Sequence, residues 1–365
     1  MTLTTAPLRF VPSMESVAED EADTIQKLKN SLREIGETTF ENGGHGIRTV
    51  HAKSHALLKG RFEVLDGLPA EYAQGLFARP GGYEAVIRIS TNPGDILDDS
   101  VSVPRGLALK VVGVEGAHLK PGEPPTQDFV MVNGHAFLTP EPKAFARNLS
   151  LLAKTTDRGP GLKKVFSTVA RGAESVIEAF GGESATLKSM GGHPMTNPLG
   201  ESYFGQTPFL YGDYVAKFSL QPSSSDLREL TDARLDVKGR PNGIRDDLVD
   251  YFHAHGGEWE FKVQLRTNEE TMPIEDASVV WPEEESPFVT VARLTVEPQD
   301  SWNEDKAAQV DDGMSFTVWH ALAAHRPLGG INRARRETYD MSTALRARQN
   351  GCPIHEPKRE DVEAL

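Results

Sequence analysis

Cysteine is nearly missing: Cys352 is the single one in 365 residues. Neither an intramolecular disulfide nor a multi-thiolate metal site can form. No apolar run approaches the ~18 residues of a membrane-spanning helix, so a transmembrane segment is excluded. The stretch from Met1 to Met14 has no basic leader followed by an apolar core. A cleaved secretory signal is therefore not visible, and a cytoplasmic location is expected. Basic residues are in deficit, 39 Lys and Arg against 53 Asp and Glu, for a net charge of -14. Such a surface repels phosphate backbones and anionic lipid, so nucleic acid is not an expected partner.

Several chemical signatures are also missing. There is no G-x-G-x-x-G after a strand and no G-x-x-x-x-G-K-[ST], which removes the usual nucleotide cradles. G-x-S-x-G is absent, and with it the commonest serine-hydrolase cue. The pairs His51/His55 and His253/His255 come without an H-E-x-x-H pattern or a cysteine partner. They read as surface or hydrogen-bonded histidines rather than zinc ligands.

What is present is a globular composition, 38% hydrophobic and 25% charged, with 33 Gly and 24 Pro scattered as turn punctuation. Helical spacing marks 15–38, then short β-rich runs follow at 61–65, 84–91 and 106–112. Helix returns over 140–180, its apolar face running from Leu162 to Phe180, and strands resume at 211–220, 258–266 and 289–296. Helices are expected over Gly313–Ala324 and Ile331–Arg348. This order suggests a flexible arm at 1–14, one α+β domain over 15–350 and a tail at 351–365.

The informative segments are Arg48-Thr49-Val50-His51-Ala52-Lys53, Arg88-Ile89-Ser90-Thr91, Pro104-Arg105-Gly106-Leu107-Ala108-Leu109-Lys110, Asp128-Phe129-Val130-Met131-Val132-Asn133 and Arg335-Arg336-Glu337-Thr338-Tyr339. In this order they resemble the haem catalases, and the resemblance runs from about residue 40 to about 350. The chain lacks the long C-terminal extension of full-size catalases and is similar to the small catalase-related peroxidases, a wider family that includes the coral allene oxide synthase domain. The fold so implied is an α+β, catalase-like antiparallel β-barrel with flanking helices.

The resemblance also implies roles. Tyr339 matches the proximal ligand, giving a phenolate to the iron of haem b. Arg335, one helical turn earlier, is placed to stabilise that anion. His51 matches the distal histidine, a group able to take and return a proton near neutral pH. Asn133 matches the amide that orients peroxide, and Ser90 the hydroxyl that orients the histidine. Arg48, Arg88 and Arg346 match the partners of the haem propionates. Val50 corresponds to the residue before the histidine in true catalases. The expected distal phenylalanine falls on Ala146, with Phe137 or Phe145 as substitutes.

The implied function is a haem-dependent peroxidase that reduces organic hydroperoxides and H₂O₂ through a ferryl intermediate, with a small organic electron donor and some catalase activity. Alternatives are a compact true catalase, a fatty-acid hydroperoxide isomerase of the allene oxide synthase type, and a non-enzymatic haem carrier or sensor. A homodimer is plausible for an acidic chain of this kind.

Overall fold

In the computed structural model, residues 5–156 and 195–365 are described, apart from 121 and 123. Nine strands form one antiparallel sheet: β1 (Lys53–Val64), β2 (Gly81–Thr91), β3 (Arg105–Val112), β4 (Thr126–Val132), β5 (Tyr203–Phe204), β6 (Phe209–Tyr211), β7 (Tyr214–Pro222), β8 (Gly257–Leu265) and β9 (Val289–Val296). The sheet closes on itself because the short β5 bonds on both sides. Phe204 pairs with Val132 of β4 and with Ser219 of β7. The result is a closed eight-strand barrel, with β6 folded back on β7 as a hairpin. Closure removes the unpaired edges that an open sheet would expose.

Each strand is two-faced because alternate side chains point to opposite sides. Ile87 and Ile89, Leu107 and Leu109, and Phe129 and Met131 enter the main core. Aromatic rings fill it: Phe129 lies 4.5 Å from Phe261 and 5.0 Å from Phe218 between ring centroids, and Phe62 lies 5.4 Å from Phe261. The interior is packed, so no ligand chamber can sit there. Arg88, Ser90, Gly106, Ala108 and Lys110 belong to the opposite phase of β2 and β3, and any site they build lies outside the barrel.

Helix α1 (Glu21–Gly43) covers part of that outer side. Glu21 and Asp23 in its first turn suit the positive end of the helix, and Gly44 ends it at φ 70°, with its N–H bonded to the Phe40 carbonyl. The expected span, 15–38, starts too early. Residues before the helix are diverted into an ion-pair cluster: Glu15 accepts from Gly329 N–H and Arg333, which also binds Glu21 and Glu275. Helix α2 (Pro142–Thr156) begins the helical stretch expected at 140–180; the apolar face from Leu162 to Phe180 lies outside the described residues. Helix α3 (Gly243–Ala254) packs on β1, and α4 (Gly330–Asn350) packs on α1. Gly36 makes that last approach possible, since a Cβ there would stand 2.7 Å from Leu345 Cδ2.

The helix expected over Gly313–Ala324 does not form. Its backbone groups are bound elsewhere: Thr317 N–H donates to Asp128 Oδ2 (3.0 Å), and the carbonyls of His320 and Ala321 accept from Asp128 and Leu119. Apolar residues there are buried because the segment is strapped across the barrel, not because it coils. The N-terminal stretch is likewise held, with Leu8 N–H bonded to the Arg266 carbonyl and Phe10 N–H to that of Asp213. Near the C-terminus, α5 (Arg359–Glu363) places Val362 against Leu57, Val86 and Val112.

A buried charge cluster pins the strap and the C-terminal segment to the barrel. Lys110 Nζ binds Asp128 Oδ1 (2.6 Å) and Oδ2 (2.8 Å) and also Glu356 Oε2. His320 Nδ1 lies 3.1 Å from Glu356 Oε1 and 3.3 Å from Asp128 Oδ2. Burial pushes the Glu356 carboxyl up, but Lys110 and His320 outweigh it and hold the group at about 2. Replacing Lys110 with Met strands two carboxylates against a single histidine. The expected loss is about 3–5 kcal/mol in urea unfolding, and a loss under about 1 kcal/mol would contradict a desolvated cluster.

Candidate active site

A two-lobed cavity lies on the outer side of β1–β4, walled by α1 and α4. One lobe holds about 630 Å³ of atom-free space and contains Arg48, Arg88, Ser90 and Arg346. The other holds about 1180 Å³ and is more apolar, lined by Leu28, Leu32, Phe137 and Phe145 together with Asn133 and Arg335. Val50, His51 and Tyr339 line both. Arg48, Val50, His51, Arg88, Ser90, Asn133, Arg335, Tyr339 and Arg346 thus all line this cavity, whereas Ala146 does not. Tyr339, Arg335 and Arg346 arrive together because their spacing along α4 keeps them on neighbouring helix rows.

His51 sits two residues before β1 with φ 51°, a conformation that costs a non-glycine residue energy and needs the surroundings to hold it. Its Nδ1 lies 3.3 Å from Ser90 Oγ, which in turn lies 3.5 Å from the Gly106 carbonyl. If the serine proton goes to that carbonyl, Ser90 Oγ accepts Nδ1–H and the lone pair is left on Nε2. Gly106 is required here, because a Cβ would stand 2.6 Å from His51 Nδ1. Burial first, then the positive charges of Arg88 and Arg335, lower the imidazole pKa to about 3. His51 is a neutral base.

Asn133 is locked at both ends of its amide. Its Oδ1 accepts from Arg105 N–H (3.0 Å), and its Nδ2 donates to Glu201 Oε2 (2.9 Å), which leaves one N–H on Nδ2 for another partner. Glu201 also binds the buried Arg105 side chain at 3.0 Å and Thr196 Oγ1. No motif drew attention to Glu201; only the fold brings it to Asn133. Arg335 donates to Thr207 Oγ1 (3.3 Å) and Asn332 Oδ1 (3.4 Å) and lies over the Phe137 ring. Phe137 and Phe145 meet edge to face at 5.3 Å, while Ala146 is packed with Leu28 and Ala334.

Asp311 is the other residue the sequence did not reveal. A π-turn over Ala307–Asp312 carries it between the arginines. Its Oδ1 accepts from Arg88 Nε (2.6 Å) and Arg48 Nη1 (2.9 Å), and its Oδ2 from Ser54 Oγ (2.5 Å). Arg346 Nη1 binds the Asp311 carbonyl, and both Arg346 and Arg48 donate to the Met314 carbonyl. Burial pushes the Asp311 carboxyl up, but Arg88 and Arg48 hold it at about 2. Burial, partly opposed by Asp311 and reinforced by Arg88, brings Arg346 down to about 10. Among the described residues the cations are under-neutralised, and the Nε of Arg346 is buried with no hydrogen-bond partner.

These features fit haem. A phenol and an imidazole lining the same cavity, with the small residues Gly106 and Ala108 of β3 beside them, suit a flat iron ligand. An arginine surplus with an orphaned N–H suits its carboxylates. The neutral imidazole carries a sign that can be checked. Between about pH 3 and 6.5 the unfolded chain takes up a proton that folded His51 refuses, so this residue adds stability as pH rises through that window. In NMR titration the His51 ring is expected to stay neutral from pH 5 to 8; a midpoint near 6.5 would contradict the buried, cation-flanked setting.

No protein-family model matches the sequence, and no curated protein matches it significantly. Solved structures do resemble it. A fungal catalase shares 15% identity at a TM-score of 0.57, covering 97% of this chain and 68% of that one. A bacterial catalase shares 16% at 0.58, with 97% and 67% covered. Catalase A from Saccharomyces cerevisiae shares 15% at 0.57, with 95% and 67% covered. Similarity this distant in sequence and this extensive in space establishes architecture: the chain has the catalase fold.

Proposed function

We propose that the protein is a haem b-dependent peroxidase that reduces organic hydroperoxides and H₂O₂ at the expense of a small organic donor. The observation that carries this reading is the shared cavity of a neutral, serine-held His51 and a helix-borne Tyr339. Tyr339 would hold the iron through its phenol oxygen, helped by the positive charge of Arg335, while Arg48, Arg88 and Arg346 would bind the propionates. When bound, haem supplies the two electrons that break the peroxide O–O bond.

The chain's own residues manage the proton. His51 Nε2 accepts it from the hydroperoxide and returns it to the departing oxygen, so that RO⁻ leaves as ROH. Ser90 keeps the imidazole in the tautomer this needs. The remaining Asn133 N–H holds the peroxide in register. The apolar lobe between Leu28, Leu32 and Phe145 gives an alkyl or aryl R group somewhere to go, which favours organic hydroperoxides. Dismutation of H₂O₂, as in a compact true catalase, is the second reading, supported by Val50 beside His51 where both line the two lobes.

Tyr339→Phe is expected to lose most of the haem or to shift the ferric spectrum, and an unchanged spectrum with full haem content would remove Tyr339 as ligand. His51→Ala should keep haem yet slow the peroxide-induced spectral change on the order of 10²-fold or more. The two readings separate on one haem-normalised sample. The peroxidase reading expects guaiacol oxidation and cumene hydroperoxide turnover to outpace oxygen release from H₂O₂. Fast oxygen release with neither of the others would leave a true catalase.

A further inference from the structure

A second hollow, of about 520 Å³, adjoins the arginine cluster and shares Arg48 with the central cavity. Its rim carries His45 and Ile96, both exposed. Apolar walls come from Ile47, Ala307 and the Trp302 ring, and the floor from Ser54 and Asp311. Peroxide chemistry as read above does not use it.

The hollow is wired to the central cavity. Trp302 Nε1 donates to Ser54 Oγ (3.0 Å), and Ser54 Oγ donates to Asp311 Oδ2 (2.5 Å). The other Asp311 oxygen accepts from Arg88 and Arg48. Every member of this chain has a definite donor or acceptor role, so the link is continuous from the indole to the guanidinium groups of the inner site. Arg245, which also lines the hollow, holds the indole with its guanidinium 3.7 Å from the ring centroid and bonded to the Ser54 carbonyl at 2.8 and 3.2 Å. A cation on that face disfavours loss of an electron from the indole itself. Trp302 is thus better suited as a π-wall for a guest than as the oxidised group.

We propose that this hollow binds a planar, single-ring phenol, the electron donor of the peroxidase reaction. The proposal rests on the peroxidase reading and names its reductant class. The ring is held by the indole and the aliphatic side chains. At the rim, His45 Nε2 lies 2.9 Å from Asp312 Oδ1. With Nε2–H given to that carboxylate, the Nδ1 lone pair is free to take the phenol proton. The electron would tunnel through the Trp302–Ser54–Asp311–arginine hydrogen bonds towards the haem those arginines would hold, with no member of the chain oxidised. The overall balance is ROOH + 2 ArOH → ROH + H₂O + 2 ArO•, with each phenol losing one proton and one electron and the O–O bond receiving both electrons.

The test uses the haem-containing protein in its ferric state, titrated with guaiacol by calorimetry without peroxide. The wild type is expected to show one saturable site. Ala307→Phe, which fills the hollow, and Ile96→Asp, a change on an exposed loop, should each weaken it tenfold or more. Trp302→Phe keeps a ring but loses the N–H link; it should bind guaiacol within about threefold of wild type while oxidising about tenfold less guaiacol per peroxide consumed. No guaiacol heat in the wild type, or wild-type affinity in both blocking variants with unaltered circular dichroism, would overturn the site. Undiminished oxidation in Trp302→Phe would overturn the wiring. Failure of the peroxidase reading looks different: guaiacol heat sensitive to Ile96→Asp in a protein that takes up no haem would keep the site and remove the reaction.

Discussion

Like charges in a buried corner repel, and the candidate site depends on how that repulsion is handled. Arg48, Arg88 and Arg346 come from β1's leading loop, β2 and α4, three parts of the chain with no other reason to meet. Asp311 and the carbonyls of Val310, Asp311 and Met314 let them meet, because each guanidinium finds oxygen within hydrogen-bond reach. The π-turn is what makes this geometry available. An ordinary helical turn would direct the carbonyls of residues 310 and 311 along its own axis, whereas the wider turn leaves them to the arginines.

That cluster is useful only because the barrel is solid. With Phe62, Phe129, Phe218 and Phe261 filling the interior, functional groups had to be built on the outer phase of the strands and roofed by helices. The same alternation that sends Ile87 and Ile89 inward sends Arg88 and Ser90 outward. One period-two pattern therefore makes both the core and the site. Small residues at Gly106 and Ala108 on the next strand leave the gap the cavity occupies.

This division explains what could be read from the sequence. Strands with strict alternation and the helix bearing Arg335, Tyr339 and Arg346 are local facts, and local facts survive folding. The segments that meet at the cavity stood out because several of them carry two or more polar or charged side chains within a few residues, as Arg48 and His51, Arg88 and Ser90, and Arg335 and Tyr339 do. Asp311 and Glu201 were not, since each acts alone and reaches its partners only through a distant chain crossing. The Gly313–Ala324 segment misled for a related reason. Its apolar residues occur at spacings compatible with a helix, yet Asp128, Gln127 and Leu119 claim its backbone groups first. Closure through the two-residue β5 was equally hidden, because so short a strand has no periodicity to detect.

The arginines also act on the His51 imidazole, which is held by Ser90, two residues along β2 from Arg88. Arg88 is among the charges that hold His51 neutral, and it is bonded to Asp311. An anion bound against Arg88 screens its field and makes the imidazole a stronger base; withdrawal of that anion weakens the base again. Burial remains the larger cause of the low pKa, so the coupling tunes His51 without converting it to a cation at neutral pH. The imidazole therefore keeps its lone pair at any pH well above about 3. Its basicity then depends on whether the arginine lobe is neutralised, which couples the arginine cluster to the imidazole of the same cavity by electrostatics alone.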